Sequence, residues 1–310
     1  MPGILPPSSP KRFIHVRDLT EAGGGMNKGI SVMLESTTGH PVIRKRVDPR
    51  LRKNYTTQEV ASMRQLAGHP NIVQLISYIP ANPGSGSMDE LYLEHCAVPL
   101  AHGTQLHTLH ELRRFYATRN VVVPEAFVWH LLEGLLSAVA FMHFGVRGRD
   151  SQPRENWHAI FHQDLHSANV FLSARGIEES CQYPRIVVGD FGCSKTKAQI
   201  HEVLLAQPKR ARILNDGVND LSNVVNLVHE FCYRSTTGTR TLAKLGCPEM
   251  WEYGEELRGV TVMLRLLKDE CCLKDDDSRM RGVLTLLDAV AKMKEEMLVS
   301  GQLRFRPLLE

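Results

Sequence analysis

The chain has 310 residues, 43% of them hydrophobic, with 37 basic and 34 acidic side chains and a net charge of +3. This length and composition predict a folded globular protein of one large domain or two lobes, and they exclude a disordered or fibrous chain. Since the charges nearly balance, bulk electrostatics gives no reason to expect a nucleic acid or a membrane as partner, and we expect neither.

The cysteines and the N-terminus indicate the compartment. The seven cysteines are scattered, odd in number and lack the paired spacing of zinc ligands, so we expect reduced thiols in an intracellular, cytoplasmic or nuclear protein. Residues 1–12, "MPGILPPSSPKR", have no charged start followed by an apolar run. They predict a flexible tail and not a signal peptide.

The first part of the chain predicts a small sheet with one helix. Strands are expected at 13–19, 29–35 and 41–47, separated by a glycine-rich stretch and the turn signal "STTGH". Apolar residues at helical spacing predict a helix from about Thr57 to Ala67, and two further strands follow at 71–79 and 90–96.

After Cys96 the pattern becomes helical. Helices are expected at 109–116, 125–144, 221–232, 255–267 and 282–298. The second of these is apolar enough to suggest a membrane span, but His130, Glu133 and His143 interrupt it, so we expect a buried helix. Only the strands at 169–173 and 185–191 break the helical pattern.

Polar residues cluster at these two strands. "HQDLHSAN" places Asp164 and Asn169 five residues apart before the first strand, and "GDFG" places Asp190 after the second. Carboxylates beside buried strands are costly to desolvate, which favours a cation or a reacting hydroxyl as their partner. The alternative is that these residues only make turns.

The order of a glycine-rich turn, a strand lysine, a helix glutamate, an H-x-D-L-x-x-x-N loop and D-F-G resembles the protein kinase family. The resemblance extends from about residue 13 to the end of the chain. It implies an α+β, bilobal fold with a β-rich N-lobe at 13–96 and a mostly helical C-lobe at 97–310. It also implies ATP and Mg²⁺, a protein Ser or Thr hydroxyl as phosphoryl acceptor, and a monomer.

The resemblance assigns a role to each motif residue. Asp164 would accept the substrate hydroxyl proton, while Asn169 and Asp190 would hold Mg²⁺. Lys45 would bind the phosphates and pair with Glu59. Two alternatives stay open. Lys45 could belong to one solvated basic face that contacts nucleic acid, formed with Arg44, Arg46, Arg50, Arg52 and Lys53, and Glu59 could close a capping box with Thr56.

Further residues are assigned to the nucleotide. Gly23, Gly25 and Gly29 would cover the phosphates, although this run is one residue longer than G-x-G-x-x-G. Leu93 would lie behind the adenine, with Glu94 and Cys96 as hinge backbone. The remaining contacts to the base would come from Val32, Ile43 and Phe171.

The sequence departs from the family pattern in three places. Gln163 stands where an Arg is common, and His166, which we count as catalytic, stands where serine/threonine kinases carry a lysine. No A-P-E follows D-F-G. Two alternatives therefore stay open: a pseudokinase serving as a docking or nucleotide-sensing module, and a small-molecule phosphotransferase of the same fold.

Two residues downstream also carry expectations. Asp220 resembles the helix aspartate that supports the catalytic loop, with a plain helix N-cap as the alternative. Ser194 and Thr196 are the hydroxyl residues between Gly192 and Asp220. Because Gln163 cannot offset the charge of a phosphate, we hypothesise that activity does not depend on phosphorylation of this segment.

Overall fold

The computed structural model describes residues 12–19, 27–50, 55–82, 84–100, 103–119, 121–148, 154–174, 183–206, 218–232, 253–271 and 276–309. The described chain divides into two units. The first contains the residues up to Ala67 together with Val73–His95, and the second contains Gly68–Ile72 and the residues from Cys96 onward. The fold is α+β, as the sequence predicted, with a sheet in the first unit and mainly helices in the second.

An antiparallel sheet forms the first unit. Its strands are β1 (Phe13–Asp18), β2 (Asn27–Glu35), β3 (Pro41–Val47), β4 (Leu75–Ile79) and β5 (Asp89–Glu94), in the order β1-β2-β3-β5-β4. Helix α1 (Tyr55–Gln65) follows β3 and buries Val60 and Met63. This helix begins two residues before the predicted Thr57, which places Thr56 inside it and not at the N-cap.

Helices dominate the second unit. They are α2 (Leu109–Arg119), α3 (Glu125–Phe144), α4 (Lys197–Ala206), α5 (Val218–Cys232), α6 (Glu255–Cys271) and α7 (Asp276–Val299). Three short antiparallel pairs accompany them: β6 (Val98–Pro99) with β7 (Gln105–Leu106), β8 (Ile160–Phe161) with β11 (Lys195–Thr196), and β9 (Val170–Ser173) with β10 (Arg185–Val188).

Helix α3 forms the core of the second unit. It is apolar on nearly every side, which suits a helix surrounded by protein, and it packs against α5, α7 and β10. Among the described residues it is the helix long and apolar enough to cross a membrane, and 78% of that stretch is buried inside the protein. Gly145 ends it with φ 71°, where an added Cβ would lie 2.7 Å from Trp157.

The sequence missed several short elements of the second unit. The pairs β6–β7 and β8–β11 and the helix α4 were not predicted, so the expectation that only two strands interrupt the helices was wrong. The strand predicted at 71–79 begins only at Leu75. Asn71 and Ile72 belong to the second unit instead. Ile72 forms a β-bridge with Val188, and the side-chain amide of Asn71 donates to the Ile186 carbonyl at 2.8 Å.

Candidate functional site

A buried ion pair lies in the first unit. The Lys45 Nζ atom donates to both carboxylate oxygens of Glu59, at 2.9 and 3.2 Å. The two side chains are 5% and 1% exposed, so each charge depends on its partner for stabilisation. The predicted ion pair is therefore present, and the capping-box alternative for Glu59 was wrong because Thr56 lies within α1.

Three residues assigned to the base form one row across the sheet. Val32 lies opposite Ile43, and Ile43 lies opposite Leu93. Directly opposed residues of antiparallel strands share a face, and Lys45 shares that face because it follows Ile43 by two positions. The first unit thus presents an apolar row beside a buried cation.

The glycine-rich stretch is described only in part. Gly23 and Gly25 lie outside the described residues. Gly29 lies in β2 with φ 133°, a conformation that favours glycine, beside a register shift in the β2–β3 pairing. At the other end of the sheet the Glu94 amide donates to the Gln74 carbonyl at 2.9 Å, which fixes the end of β5.

The described arginines of the basic stretch are paired with carboxylates, while Arg52 and Lys53 lie outside the described residues. Arg44 and Arg46 each approach Glu90 at 3.7 Å, and Arg50 donates to both oxygens of Asp48 at 2.9 and 2.7 Å. Lys45 points to the opposite face, as strand alternation predicted. This pairing does not support the alternative of an open basic face.

The loop between β8 and β9 brings Asp164 and Asn169 together. The Asn169 side-chain amide donates to the Asp164 carbonyl at 2.9 Å and to its carboxylate at 3.3 Å. The Asn169 carbonyl accepts the Gly189 N–H at 2.9 Å, which ties this loop to the D-F-G segment. Asp164 is 48% exposed and can therefore meet a substrate.

His166 lies beside Asp164. Its Nδ1 atom accepts the Ala168 N–H at 3.2 Å, so the neutral ring carries its proton on Nε2. That Nε2 atom is 3.7 Å from an Asp164 carboxylate oxygen. The imidazole therefore places a hydrogen-bond donor, in its neutral form, at the position that a lysine occupies in the family the sequence resembles.

His162 joins the loop to the D-F-G segment. Its Nε2 atom donates to the Gly189 carbonyl at 2.9 Å, and its Nδ1 atom accepts the Asp164 N–H at 3.3 Å. Its ring centroid is 5.0 Å from that of Phe191, and both side chains are fully buried. Asp190, which precedes Phe191 in the chain, has φ 60° and ψ 69°, a left-handed conformation that is uncommon outside glycine.

Asp220 supports the loop from α5. Its carboxylate accepts the backbone N–H groups of His162 at 2.8 Å and Gln163 at 3.0 Å, and a ring nitrogen of His143 lies at 3.0 Å. Burial by itself would raise the pKa of Asp220, but the hydrogen bonds outweigh it and the pKa is lowered. Asp220 is the third residue of α5, so the plain N-cap alternative was wrong.

The remaining residues that the sequence assigned to the nucleotide lie in the second unit. Phe171 is half-buried in β9, where it pairs with Val187 and bridges Thr108. Cys96 is buried, and its carbonyl accepts a hydrogen bond from His107 at 3.0 Å. No motif in the sequence singles out His107.

The oxygen atoms of Asn169 and Asp190 suit Mg²⁺. Mg²⁺ prefers hard oxygen ligands and commonly takes the rest of its shell from water and phosphate. Because the Asn169 amide nitrogen donates to Asp164, its amide oxygen is directed elsewhere and can serve a cation. No group of three or more His, Cys, Asp or Glu within the described ranges could hold a metal. The oxygen atoms of Asn169 and Asp190 therefore fit a metal site in which phosphates of the substrate supply further ligands.

His143, which contacts the residue that supports the catalytic loop, was also missed by sequence reasoning. It lies in α3, 77 residues before Asp220, and its ring packs edge-on against Phe161 at 4.9 Å. In the sequence, His143, like His130 and Glu133, is a polar residue that interrupts the apolar helix. A histidine on an otherwise buried helix face, which must find a polar partner, was the available signal.

Comparison with known proteins gives one informative similarity. No family model matches the chain. The chain is 23% identical over 184 residues to a protein of Caenorhabditis elegans described as the probable serine/threonine-protein kinase zyg-1. The matched region covers 59% of this chain and 21% of that relative. The chain therefore has a distant, partial similarity to a protein kinase and spans about a fifth of that relative's length.

Proposed function

We propose that the chain is an ATP- and Mg²⁺-dependent protein kinase that transfers the γ-phosphoryl group to a protein Ser or Thr hydroxyl. The observation that carries this proposal is the loop in which Asn169 fixes Asp164, while Asp220 fixes the start of the loop. The partial similarity to a serine/threonine kinase supports it. The division into lobes at 13–96 and 97–310 is part of the same proposal.

Each group has a defined task in this reaction. The Asp164 carboxylate accepts the proton of the attacking hydroxyl, while the oxygen–phosphorus bond to the leaving ADP breaks as the new one forms. Lys45, oriented by Glu59, binds the phosphates, and His166 donates a hydrogen bond to the transferred group. Asn169 and Asp190 would hold Mg²⁺, which would supply positive charge to the phosphates. Val32, Ile43 and Leu93 supply an apolar surface for the base.

A second candidate is a small-molecule phosphotransferase. The segment after D-F-G turns directly into α4, capped by Thr196 and Gln199, so the backbone groups of Lys197–Ala206 are used within a helix. A helical backbone cannot pair with an extended peptide acceptor. Such a segment would recognise its acceptor through side chains alone.

Labelled ATP distinguishes these functions. We expect transfer of label to a mixture of proteins and not to small hydroxylated acceptors. The rate of transfer should fall by at least about 10²-fold in Asp164→Asn, because this variant loses the general base. Asp288→Asn, an exposed site on α7, is the matched control. Transfer to small acceptors alone would favour the second candidate.

A thermal-shift measurement with Mg-ATP completes the test. A shift without transfer to any acceptor would indicate a pseudokinase that senses nucleotide. If Mg-ATP causes no thermal shift and no transfer is detected, the proposed function is overturned.

A further inference from the structure

His107 connects two residues of the nucleotide site in the second unit. Its Nδ1 atom lies 3.0 Å from the Cys96 carbonyl oxygen. A carbonyl oxygen can only accept a hydrogen bond, so the ring must carry a proton on Nδ1 and donate it. The imidazole thereby holds the backbone of Cys96, a buried residue assigned to the hinge.

The backbone of His107 holds the strand of Phe171. The His107 carbonyl accepts the Leu172 N–H at 2.9 Å, and the next residue, Thr108, bridges Phe171. The side chain and the main chain of one residue thus bind the two segments that carry Cys96 and Phe171. The neighbouring residues are also joined, because the Ala174 N–H donates to the Ala97 carbonyl at 3.1 Å. The imidazole of His107 adds a contact to the Cys96 carbonyl itself.

His107 is itself fixed from the following helix. Its backbone N–H donates to the Glu111 carboxylate at 2.6 Å. The same carboxylate accepts the Thr108 N–H at 3.3 Å, and the Thr108 hydroxyl accepts the Glu111 N–H at 3.1 Å, which closes a capping box at the start of α2. The backbone that carries the half-buried imidazole is therefore held by these hydrogen bonds.

We propose that His107 is a positioning residue for the base-binding end of the site, holding the Cys96 carbonyl in register with the strand of Phe171. This inference rests on the proposed function, since Cys96 and Phe171 are assigned to the nucleotide there. It adds a residue that no motif identified. It also adds a consequence for binding: loss of the Nδ1 donor loosens Cys96 and weakens nucleotide affinity without touching the groups that transfer the phosphoryl.

Three variants separate this role from a general contribution to the fold. His107→Leu removes the donor, and His107→Asn keeps one, because the Asn amide nitrogen can occupy the place of Nδ1. His110→Leu, at an exposed position on α2, is the matched control. Each is measured for Mg-ATP Kd by calorimetry, for KM and kcat in the transfer assay, and for thermal unfolding.

We expect His107→Leu to raise the Kd and the KM for Mg-ATP about tenfold, the value of one hydrogen bond, with kcat changed less than about threefold. His107→Asn and His110→Leu should stay within about threefold of the wild type. Unchanged Kd in a folded His107→Leu, or failure of His107→Asn to restore it, would overturn the inference and leave the proposed function standing. Absence of Mg-ATP binding in the wild type would overturn both.

Discussion

His143 on α3 and Asp220 on α5 form a buried hydrogen-bonded pair, with the ring Nε2 atom 3.0 Å from the carboxylate and side chains that are 4% and 0% exposed. The same carboxylate accepts the N–H groups of His162 and Gln163. One buried side chain therefore connects two helices of the second unit to the first residues of the loop that carries Asp164.

Removal of this carboxylate should unfold or strongly destabilise the protein. Asp220→Ala removes the acceptor of the His162 N–H, the Gln163 N–H and the His143 ring, and we expect a loss of about 3–5 kcal/mol in the free energy of unfolding. Asp220→Asn keeps one acceptor oxygen and should lose less. Urea unfolding of both variants measures this, and equal stability of Asp220→Ala and the wild type would contradict it.

The backbone of Gln163 gives a second prediction. Its φ is 65°, a left-handed conformation that costs a non-glycine residue about 1 kcal/mol. Gln163→Gly and Gln163→Ala both remove the side chain, so their difference isolates the backbone. We expect the glycine variant to be more stable by about 1 kcal/mol in urea unfolding. A more stable alanine variant would show that this conformation carries no strain.

Local sequence signals identified those parts of the site that lie on one strand or one loop. Strand alternation predicted that Lys45 and Arg44 lie on opposite faces of β3, and the spacing in "HQDLHSAN" predicted that Asp164 lies beside Asn169. For contacts between distant segments, no local signal identified the partner: His143 and Asp220 are 77 residues apart.

Helix α4 is a different case. Its capping box, Thr196 with Gln199, could be read from the sequence, but we predicted no helix between the D-F-G motif and Asp220.

The ion pair of Lys45 predicts two separable effects. Lys45→Met should lower phosphoryl transfer by at least about 10²-fold, because the cation acts on charge in the transition state. It also leaves the Glu59 carboxylate, which is 1% exposed, without its cation, at a cost of about 3–5 kcal/mol in stability. The double variant Lys45→Met/Glu59→Gln should recover stability but not transfer. Arg44→Ala and Arg46→Ala are the controls, and an equal loss of transfer in either would contradict the assignment of Lys45.

His130 predicts a loss of stability in mild acid. Burial, with a contribution from the charge of Lys294, lowers its pKa to about 4 in the folded protein. The unfolded imidazole titrates near 6.5, so between these values the unfolded chain binds more protons and stability falls as the pH falls.

The variant His130→Gln tests this. A Gln amide can keep the hydrogen bond that the ring Nε2 atom donates to the Pro184 carbonyl, and it does not titrate. We expect the loss of stability between pH 7 and pH 5 to be smaller in this variant by roughly 1–2 kcal/mol. His110→Gln, at an exposed site, should behave as the wild type. An unchanged pH dependence in His130→Gln would show that His130 is not the titrating group.

The last prediction concerns control of activity by phosphorylation after D-F-G. Ser194 is 1% exposed and is not presented to another enzyme in this conformation, and the Thr196 hydroxyl is engaged as the cap of α4, where it accepts the Gln199 N–H. Gln163 offers no charge to a phosphate there. We therefore expect activity without segment phosphorylation. The test compares phosphatase-treated protein and the variant Ser194→Ala/Thr196→Asn, which keeps a capping side chain, with untreated protein in one transfer assay. A loss of tenfold or more in either sample, about 1.4 kcal/mol in barrier height, would show that a segment phosphate is required.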